Sequence, residues 1–323
     1  MKQLLSRFWF VALVTAVLVF FSEKAYWYPQ GYAIAELLLF YAVPVYACLW
    51  AINRFQVQKL SGVILIAALF AFLIEGVLTP VMYEAGLFDP ILPAYFIGWH
   101  GLLAVVFGWY GIRRWLLTGQ WPRLFAASVL FGIFWGIWAL VYWLPENKLA
   151  FVEGGRWPTA QFGWHALTFT LLLMLGHWLL GQGGWQATFV PGRWEKWGVT
   201  AVLIFFFVTL ALPAAPLGIL KLLLLVTAVF LPLEINRRRQ PSGTLFADLA
   251  GSVQARHLLP LLAMPLLATA VYQFAVVNQP TETMLHDIFE LVPLAQALLG
   301  AFCFGGALIV TLWPLDRRKC ADE

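Results

Sequence analysis

Residues 61–83 read SGVILIAALFAFLIEGVLTPVMY, and this stretch decides the fold. An α-helix rises 1.5 Å per residue, so a run of this length exceeds the ~30 Å hydrocarbon core of a bilayer. Its apolar residues are continuous, whereas a transmembrane β-strand would alternate over about ten residues. The stretch therefore predicts a membrane-spanning helix with one carboxyl, Glu75, inside it.

The rest of the chain has the same character. Apolar residues make up 62% of the 323 residues and charged residues only 11%, whereas soluble domains are about one quarter charged. Because lipid offers no partner to an unpaired backbone group, such runs must be helices. The sequence predicts an all-α, polytopic integral membrane helix bundle.

Hydropathy predicts ten helices within a single transmembrane domain, 1–323. The weakest point is Pro213-Ala-Ala-Pro216, which could form a hairpin between the seventh and eighth helices or a kink in a re-entrant pair. The helices are predicted near 4–21, 33–52, 61–83, 94–112, 124–144, 162–181, 198–213, 216–235, 258–277 and 295–313.

Charge gives an independent prediction of orientation. Counted along this topology, sixteen of the twenty Lys and Arg residues fall in segments on one side, which the positive-inside rule assigns to the cytoplasm. We therefore predict a multi-pass protein of the plasma (inner) membrane with N- and C-termini cytoplasmic. Met1 to Phe21 resembles a signal peptide, but Ser22-Glu23-Lys24 is no cleavage site, so an uncleaved first helix is expected.

The basic residues form short clusters beside apolar runs, so nucleic acid is not an expected partner. The bilayer is the expected partner, and a hydrophobic small molecule fits the composition. Cys48, Cys303 and Cys320 have no metal-ligand spacing. The sequence does not indicate an oligomeric state.

Ionisable residues inside predicted helices are the candidate catalytic groups, because each costs at least a few kcal/mol in a bilayer. They are Glu75, His100 and His165, all expected in the outer half of the membrane. Both histidines follow Gly-Trp at the start of a helix. We predict that the three side chains meet in one lipid-shielded chamber. The alternatives are a neutral Glu75 bonded to a carbonyl freed near Pro80, and histidines that bond between helices.

Four further residues at the same level are candidate substrate-binding groups: Trp99, Trp164, Glu36 and Lys221. Glu36 and Lys221 could instead extend to the headgroups or form ion pairs. His286, Asp287 and Glu290 are predicted in a solvated loop. Glu234 precedes three arginines and is expected to form an interfacial ion pair.

The histidines and Glu75 bear on two cofactors, a divalent metal and haem b. A divalent metal bound by Glu75, His100 and His165, with an open position, is chemically allowed. Haem b is disfavoured, because His177 lies twelve residues after His165 and their side chains would be about 120° apart on the helix.

Three functions fit these features. The first is a membrane-embedded enzyme that uses Glu75, His100 and His165 for acid–base chemistry on a lipid or isoprenoid near the outer face. The second is a proton- or cation-coupled transporter using the same groups. The third is a non-catalytic subunit or assembly factor whose polar groups specify helix packing. Common hydrolase, zinc-protease, redox and nucleotide-binding motifs are absent.

Overall fold

A computed structural model describes residues 2–25, 34–144, 156–182, 189–239 and 243–313. Ten helices in these ranges are long and apolar enough to cross a membrane, and no strand occurs among the described residues. The protein is thus an integral multi-pass membrane protein, and the predicted helix count is confirmed. The helices are α1 Gln3–Lys24, α2 Ile34–Phe55, α3 Leu60–Leu78, α4 Ile91–Thr118, α5 Trp121–Trp143, α6 Thr159–Gln182, α7 Arg193–Ala214, α8 Gly218–Arg239, α9 Ala255–Asn278 and α10 Glu282–Leu312.

α10 begins well before the predicted residue 295. Thr281 Oγ1 accepts the N–H of Met284 at 3.3 Å, and Glu282 lies in the first turn, where a negative charge is favourable. Hydropathy locates only the apolar part of a helix and misses this polar extension. The prediction of a loop for His286, Asp287 and Glu290 is therefore wrong, and all three lie in the first turns of α10.

α7 and α8 are two separate helices. The turn between them is closed by hydrogen bonds from Gly218 N–H to Ala215 O at 2.8 Å and from Leu220 N–H to Leu217 O at 3.0 Å. Each helix has 22 residues, enough to cross the hydrocarbon layer. Two helices of this length favour the hairpin over a kink in a re-entrant pair.

Within the described ranges, four helices contain wider, π-helical segments, in which the hydrogen bonds run from residue i to residue i+5. They lie at Phe20–Lys24 in α1, Ile74–Leu78 in α3, Ile97–Gly111 in α4 and Phe207–Ala211 in α7. Such segments are rare and occur often at functional sites. Those of α3 and α4 carry Glu75 and His100.

The chain divides into two compact units. Unit 1 comprises Met1–Ala42, Phe107–Thr188 and Leu249–Ala295; unit 2 comprises Val43–Val106, Phe189–Asp248 and Gln296–Glu323. Glu75 and His100 belong to unit 2, and His165 belongs to unit 1. Our assignment of a single membrane domain stays a prediction.

Within unit 1, α5 packs closely on α9 through glycines. A Cβ at Gly132 or Gly136 would lie 2.6 Å from the carbonyl oxygen of Met264 or Ala268 respectively. Small residues four apart allow this approach of two backbones in a membrane, where dispersion forces between helices replace the hydrophobic effect. The same face of α5 buries Trp135.

Within unit 2, glycines of α4 bring this helix against α3 and α10. A Cβ at Gly101 would lie 2.9 Å from the Ala67 carbonyl oxygen of α3, and a Cβ at Gly98 would overlap the Gln296 carbonyl of α10. These close approaches place His100, which stands between the two glycines in sequence, beside α3.

Candidate functional site

Glu75 lies where α3 loses its regular form. The π-helical segment Ile74–Leu78 ends at Thr79, which is extended (φ −125°, ψ 107°) because the residue before a proline avoids the helical region. Thr79 N–H bonds to the Ile74 carbonyl at 2.8 Å, and its hydroxyl lies 3.0 Å from Glu75 Oε2. The helix end therefore fixes one oxygen of the carboxyl group.

The other oxygen of Glu75 meets His100. Glu75 Oε1 and His100 Nε2 are 2.7 Å apart, a distance typical of a charge-assisted hydrogen bond. Both side chains are buried, with 1% of His100 and 7% of Glu75 exposed. Glu75 is thus the more exposed member of the pair, although both are buried.

Aromatic rings hold the imidazole of His100 in place. Trp99 stacks on it with a centroid distance of 4.5 Å and an interplanar angle of 14°. Phe96 stacks more distantly at 6.4 Å, and Phe70 of α3 approaches edge-on at 6.4 Å. These contacts restrict ring rotation, so Nε2 stays directed at Glu75.

The pair can hold and release a proton. A carboxyl and an imidazole 2.7 Å apart can exist as acid and neutral ring or as carboxylate and imidazolium, which differ by one proton transfer. A group that alternates between two protonation states beside a partner is what general acid–base catalysis requires.

Tyr83, which sequence reasoning missed, completes the end of α3. Its hydroxyl donates to the Gly76 carbonyl at 2.7 Å, one residue after Glu75. Tyr83 lies outside the spanning helices, and burial raises the pKa of its phenol well above the ordinary value. The phenol therefore remains a donor at neutral pH. The sequence signal that could have indicated this role is the position of Tyr83, three residues after the helix-ending Pro80.

Lys221 of α8 holds the segment after α3. Its ammonium is buried and donates to the carbonyl oxygens of Met82 and Gly86, each at 2.9 Å. The sequence suggested a headgroup contact or an ion pair, and bonds to two neutral carbonyls were not anticipated. Lys221 belongs to the same unit as Glu75 and His100.

His165 has a different partner. Its Nε2 lies 2.8 Å from the Lys24 carbonyl oxygen in unit 1, so this nitrogen carries a hydrogen and caps the end of α1. Trp157 and Phe169 approach its ring at 5.7 and 4.7 Å. The structure thus joins Glu75 to His100 by a hydrogen bond and gives His165 a structural bond of its own.

Two of the predicted substrate-binding residues lie at the protein surface. Trp164 and Glu36 are exposed, Trp164 on α6 and Glu36 in the first turn of α2. Trp99, one of the four predicted substrate-binding residues, stacks on His100.

The metal and haem hypotheses gain no support from side-chain geometry. Among the described residues, which include Glu75, His100 and His165, no three His, Cys, Asp or Glu side chains are grouped to hold a metal ion. His257, another histidine of unit 1, donates from Nδ1 to the Leu116 carbonyl at 3.0 Å. We therefore build no step on either cofactor.

Glu234 forms ion pairs with arginines in the last turn of α8. Glu234 accepts hydrogen bonds from Arg237 at 2.7 and 2.8 Å and from Arg238 at 3.0 Å, and Arg54 lies 3.6 Å away. The predicted ion pair is confirmed as a small network at the end of α8.

Fold and site together define a ten-helix membrane protein with a buried carboxyl–imidazole pair. No family model matches the chain, and no curated protein or solved structure is similar to it. The geometry of the site therefore carries the functional argument.

Proposed function

We propose that this chain is a membrane-embedded enzyme that performs acid–base chemistry on a lipid or isoprenoid, with Glu75 as the proton-transferring group. The observation that carries the proposal is the 2.7 Å hydrogen bond between Glu75 Oε1 and His100 Nε2 in apolar surroundings. A carboxyl in such surroundings must be neutral or partnered. Here the partner can itself take up a proton, which purely structural partners such as backbone carbonyls cannot do.

The two residues have distinct roles in this proposal. Glu75 is the more exposed of the pair and acts on the substrate, either donating its proton to an oxygen or double bond or removing one from carbon. The carboxylate left after donation is stabilised by hydrogen bonds from His100 and from the Thr79 hydroxyl. His100 acts through Glu75 and is a positioning residue.

A hydrocarbon substrate fits the helices that carry the pair. Phe72 and Ile97, each three residues before a member of the pair, line an apolar cavity within unit 2. Glu75 and His100 do not line this cavity themselves, but each lies on the same helix as a residue that does. This arrangement supports a lipid or isoprenoid rather than a water-soluble substrate.

The test compares lipids of cells that lack the gene with lipids of cells expressing the wild type or single variants. Wild type should change the abundance of at least one lipid or isoprenoid in total extracts analysed by mass spectrometry. E75Q removes the transferable proton and keeps the shape, so it should abolish that change. E36Q alters an exposed carboxyl in the first turn of α2 and is the matched control, which should behave as wild type.

Expression of each variant must be equal, as judged by immunoblotting of membranes. An E75Q protein that restores the lipid pattern as well as wild type does would refute the catalytic role. H100Q should give partial activity with an altered pH profile, because it leaves Glu75 in place and changes its proton partner.

A proton-coupled carrier is the second candidate, and one observation favours it. Glu75 lies at a break in α3, and interrupted helices often form ion sites in transporters. Proteoliposomes with an internal pH dye distinguish the two functions. Substrate-dependent proton uptake, lost in E75Q and kept in E36Q, would favour the carrier.

A further inference from the structure

Unit 2 contains a cavity of about 840 Å³ between segments of α3, α4, α8 and α10. Its size lies in the range of sites that bind small organic ligands, about 300–1,000 Å³. Leucine, phenylalanine and proline side chains form most of the wall. Only two charged residues, Lys221 and Asp89, line it. This composition fits a hydrocarbon chain with a polar group at one place.

Asp89 acts electrostatically on Lys221, but among the described residues no acid is bonded directly to its ammonium. Its ammonium has three N–H donors, and two are used by the Met82 and Gly86 carbonyl oxygens. Among the described residues, no carboxylate oxygen lies within 4.0 Å of this nitrogen. A buried cation with neutral partners gains from an anionic ligand, because the protein has already paid its desolvation.

Asp89 is committed to the start of α4. Its two carboxylate oxygens accept the backbone N–H groups of Ile91 at 3.3 Å and Leu92 at 2.9 Å. Asp89 thus satisfies donors at a helix N-terminus, where a negative charge is favourable. The group in the cavity wall with a donor to spare is therefore Lys221.

The cavity is reachable from the protein surface. Phe88 and Leu224, which line it, are 89% and 69% exposed. On spanning helices such as α8, exposed leucines face hydrocarbon rather than water. A membrane lipid can therefore enter sideways with its chain still in an apolar environment.

We propose that this cavity binds one single-chain amphiphile with a monoanionic head group, a long-chain carboxylate drawn from the membrane. The head group accepts a hydrogen bond from Lys221 Nζ, and the chain lies along the apolar wall formed by α8 and α10. One cation with one remaining donor suits one negative charge, whereas a diphosphate would need several cations. The same cavity supports the lipid substrate proposed above, but the head-group assignment rests on Lys221 and not on the acid–base chemistry of Glu75.

Oleate and oleyl alcohol are suitable probes, because they share a chain and differ in the charge of the head group. Binding is measured by equilibrium dialysis with the full-length protein in nanodiscs of neutral phosphatidylcholine. Wild type should bind one oleate at least about tenfold more tightly than oleyl alcohol, the ratio expected from a hydrogen bond to a charged group. K221M should lower oleate affinity to that of the alcohol, and K221R should retain the preference.

Two adjacent glycines of α10 provide a matched pair that leaves Lys221 intact. A Cβ at either Gly305 or Gly306 would meet no atom within 4 Å, but only Gly305 lines the cavity. G305L should fill part of the cavity and weaken both probes, and G306L should bind as wild type. E75Q should also bind as wild type, so loss of catalysis and loss of this site are separable.

Equal affinity of wild type for oleate and oleyl alcohol would overturn the assignment of the head group to Lys221. Wild-type oleate binding by G305L would place the ligand elsewhere and overturn the site. If G306L weakened the binding of both probes as much as G305L does, the site would also be overturned.

Discussion

Among single residues, Glu75 and His100 should be energetically coupled. Alanine at either position leaves a buried polar partner with a lost hydrogen bond, which costs about 1–3 kcal/mol. The double variant removes both groups, so its loss of unfolding free energy should be smaller than the sum of the single losses by about 1–3 kcal/mol. Denaturation in mixed detergent micelles gives the four values of the cycle.

The control cycle pairs His100 with Glu36, which is exposed on α2. Sites without a shared partner add to within about 0.5 kcal/mol, so this cycle should show no coupling. If the Glu75 and His100 losses also add to within that margin, the hydrogen bond between them contributes nothing and the pair is not a functional unit.

Tyr83 supplies a prediction about pH. Its hydroxyl donates to the Gly76 carbonyl, and burial raises its pKa above the ordinary value of 10.0. A raised folded-state pKa means that the stabilising contribution is fully present below pH 10 and is lost only as the pH rises beyond it. Y83F should therefore lower the unfolding free energy by about 1 kcal/mol, equally at pH 6 and pH 9.

Unfolding of wild type and Y83F at the two pH values checks this. A difference between the variants that shrinks by half or more from pH 6 to pH 9 would mean that Tyr83 ionises in that interval, contrary to its burial beside Gly76.

At the scale of elements, Arg113 joins three segments of unit 1. The guanidinium is fully buried at the end of α4 and donates to the carbonyl oxygens of His177 at 2.5 Å, Gly251 at 2.6 Å and Leu249 at 3.1 Å. A planar fork of five N–H donors suits three separate acceptors, whereas an ammonium offers a single centre. R113K should therefore lower the unfolding free energy by about 1–3 kcal/mol.

The neighbouring residue is the control. Arg114 is exposed and donates to Tyr110 of its own helix at 2.8 Å, so R114K should change stability by less than about 0.5 kcal/mol. Both variants keep the positive charge, which isolates the geometry of the guanidinium. Equal melting temperatures for R113K and wild type would show that the three carbonyls do not need this fork.

Hydropathy could predict the existence of every spanning helix but not its internal form. The run before Thr79 looks uniform in sequence, yet its last turns at Ile74–Leu78 are π-helical. A π-helical turn holds about one residue more than an α-helical turn. This difference does not change the hydropathy profile, because apolar residues lie on all sides of the run. The polar first turns of α10 were missed for the opposite reason, since Glu282 to Glu290 carry charge that a hydropathy window reads as loop.

Across the whole molecule, the sequence could predict how deep in the membrane each candidate group lies, but not the direction in which it points around the axis of its helix. Glu75 and His100 were expected at one level, and a hydrogen bond joins their side chains. His165 was expected at that level too, but a hydrogen bond to the Lys24 carbonyl depends on the rotation of α6, which apolar composition leaves undefined. Lys221 likewise found carbonyl partners that no local pattern encodes.

The division into two units was also beyond sequence reasoning. Three of its five boundaries, at residues 42, 106 and 295, fall inside the spanning helices α2, α4 and α10. Composition shifts and proline- or glycine-rich linkers, which normally mark boundaries, cannot reveal a boundary within a helix.

The orientation in the membrane remains a prediction, and it can be tested directly. If the side carrying sixteen of the twenty basic residues is cytoplasmic, a green fluorescent protein fused after Glu323 should fluoresce, and alkaline phosphatase fused there should be inactive. Fusions after Gln120, between α4 and α5, should behave in the same way. Fusions after Gly86, between α3 and α4, should give active phosphatase and no fluorescence.

The three sites test the helix count together with the charge rule. Three helices, α1 to α3, precede Gly86 and seven follow it. Both numbers are odd, so the reporter at Gly86 must differ from the reporter at Glu323. Active phosphatase at all three sites would mean that α4 does not cross the bilayer. Reversed signals at every site would keep the ten helices and invert the orientation, which would move Glu75 and His100 to the cytoplasmic half of the membrane.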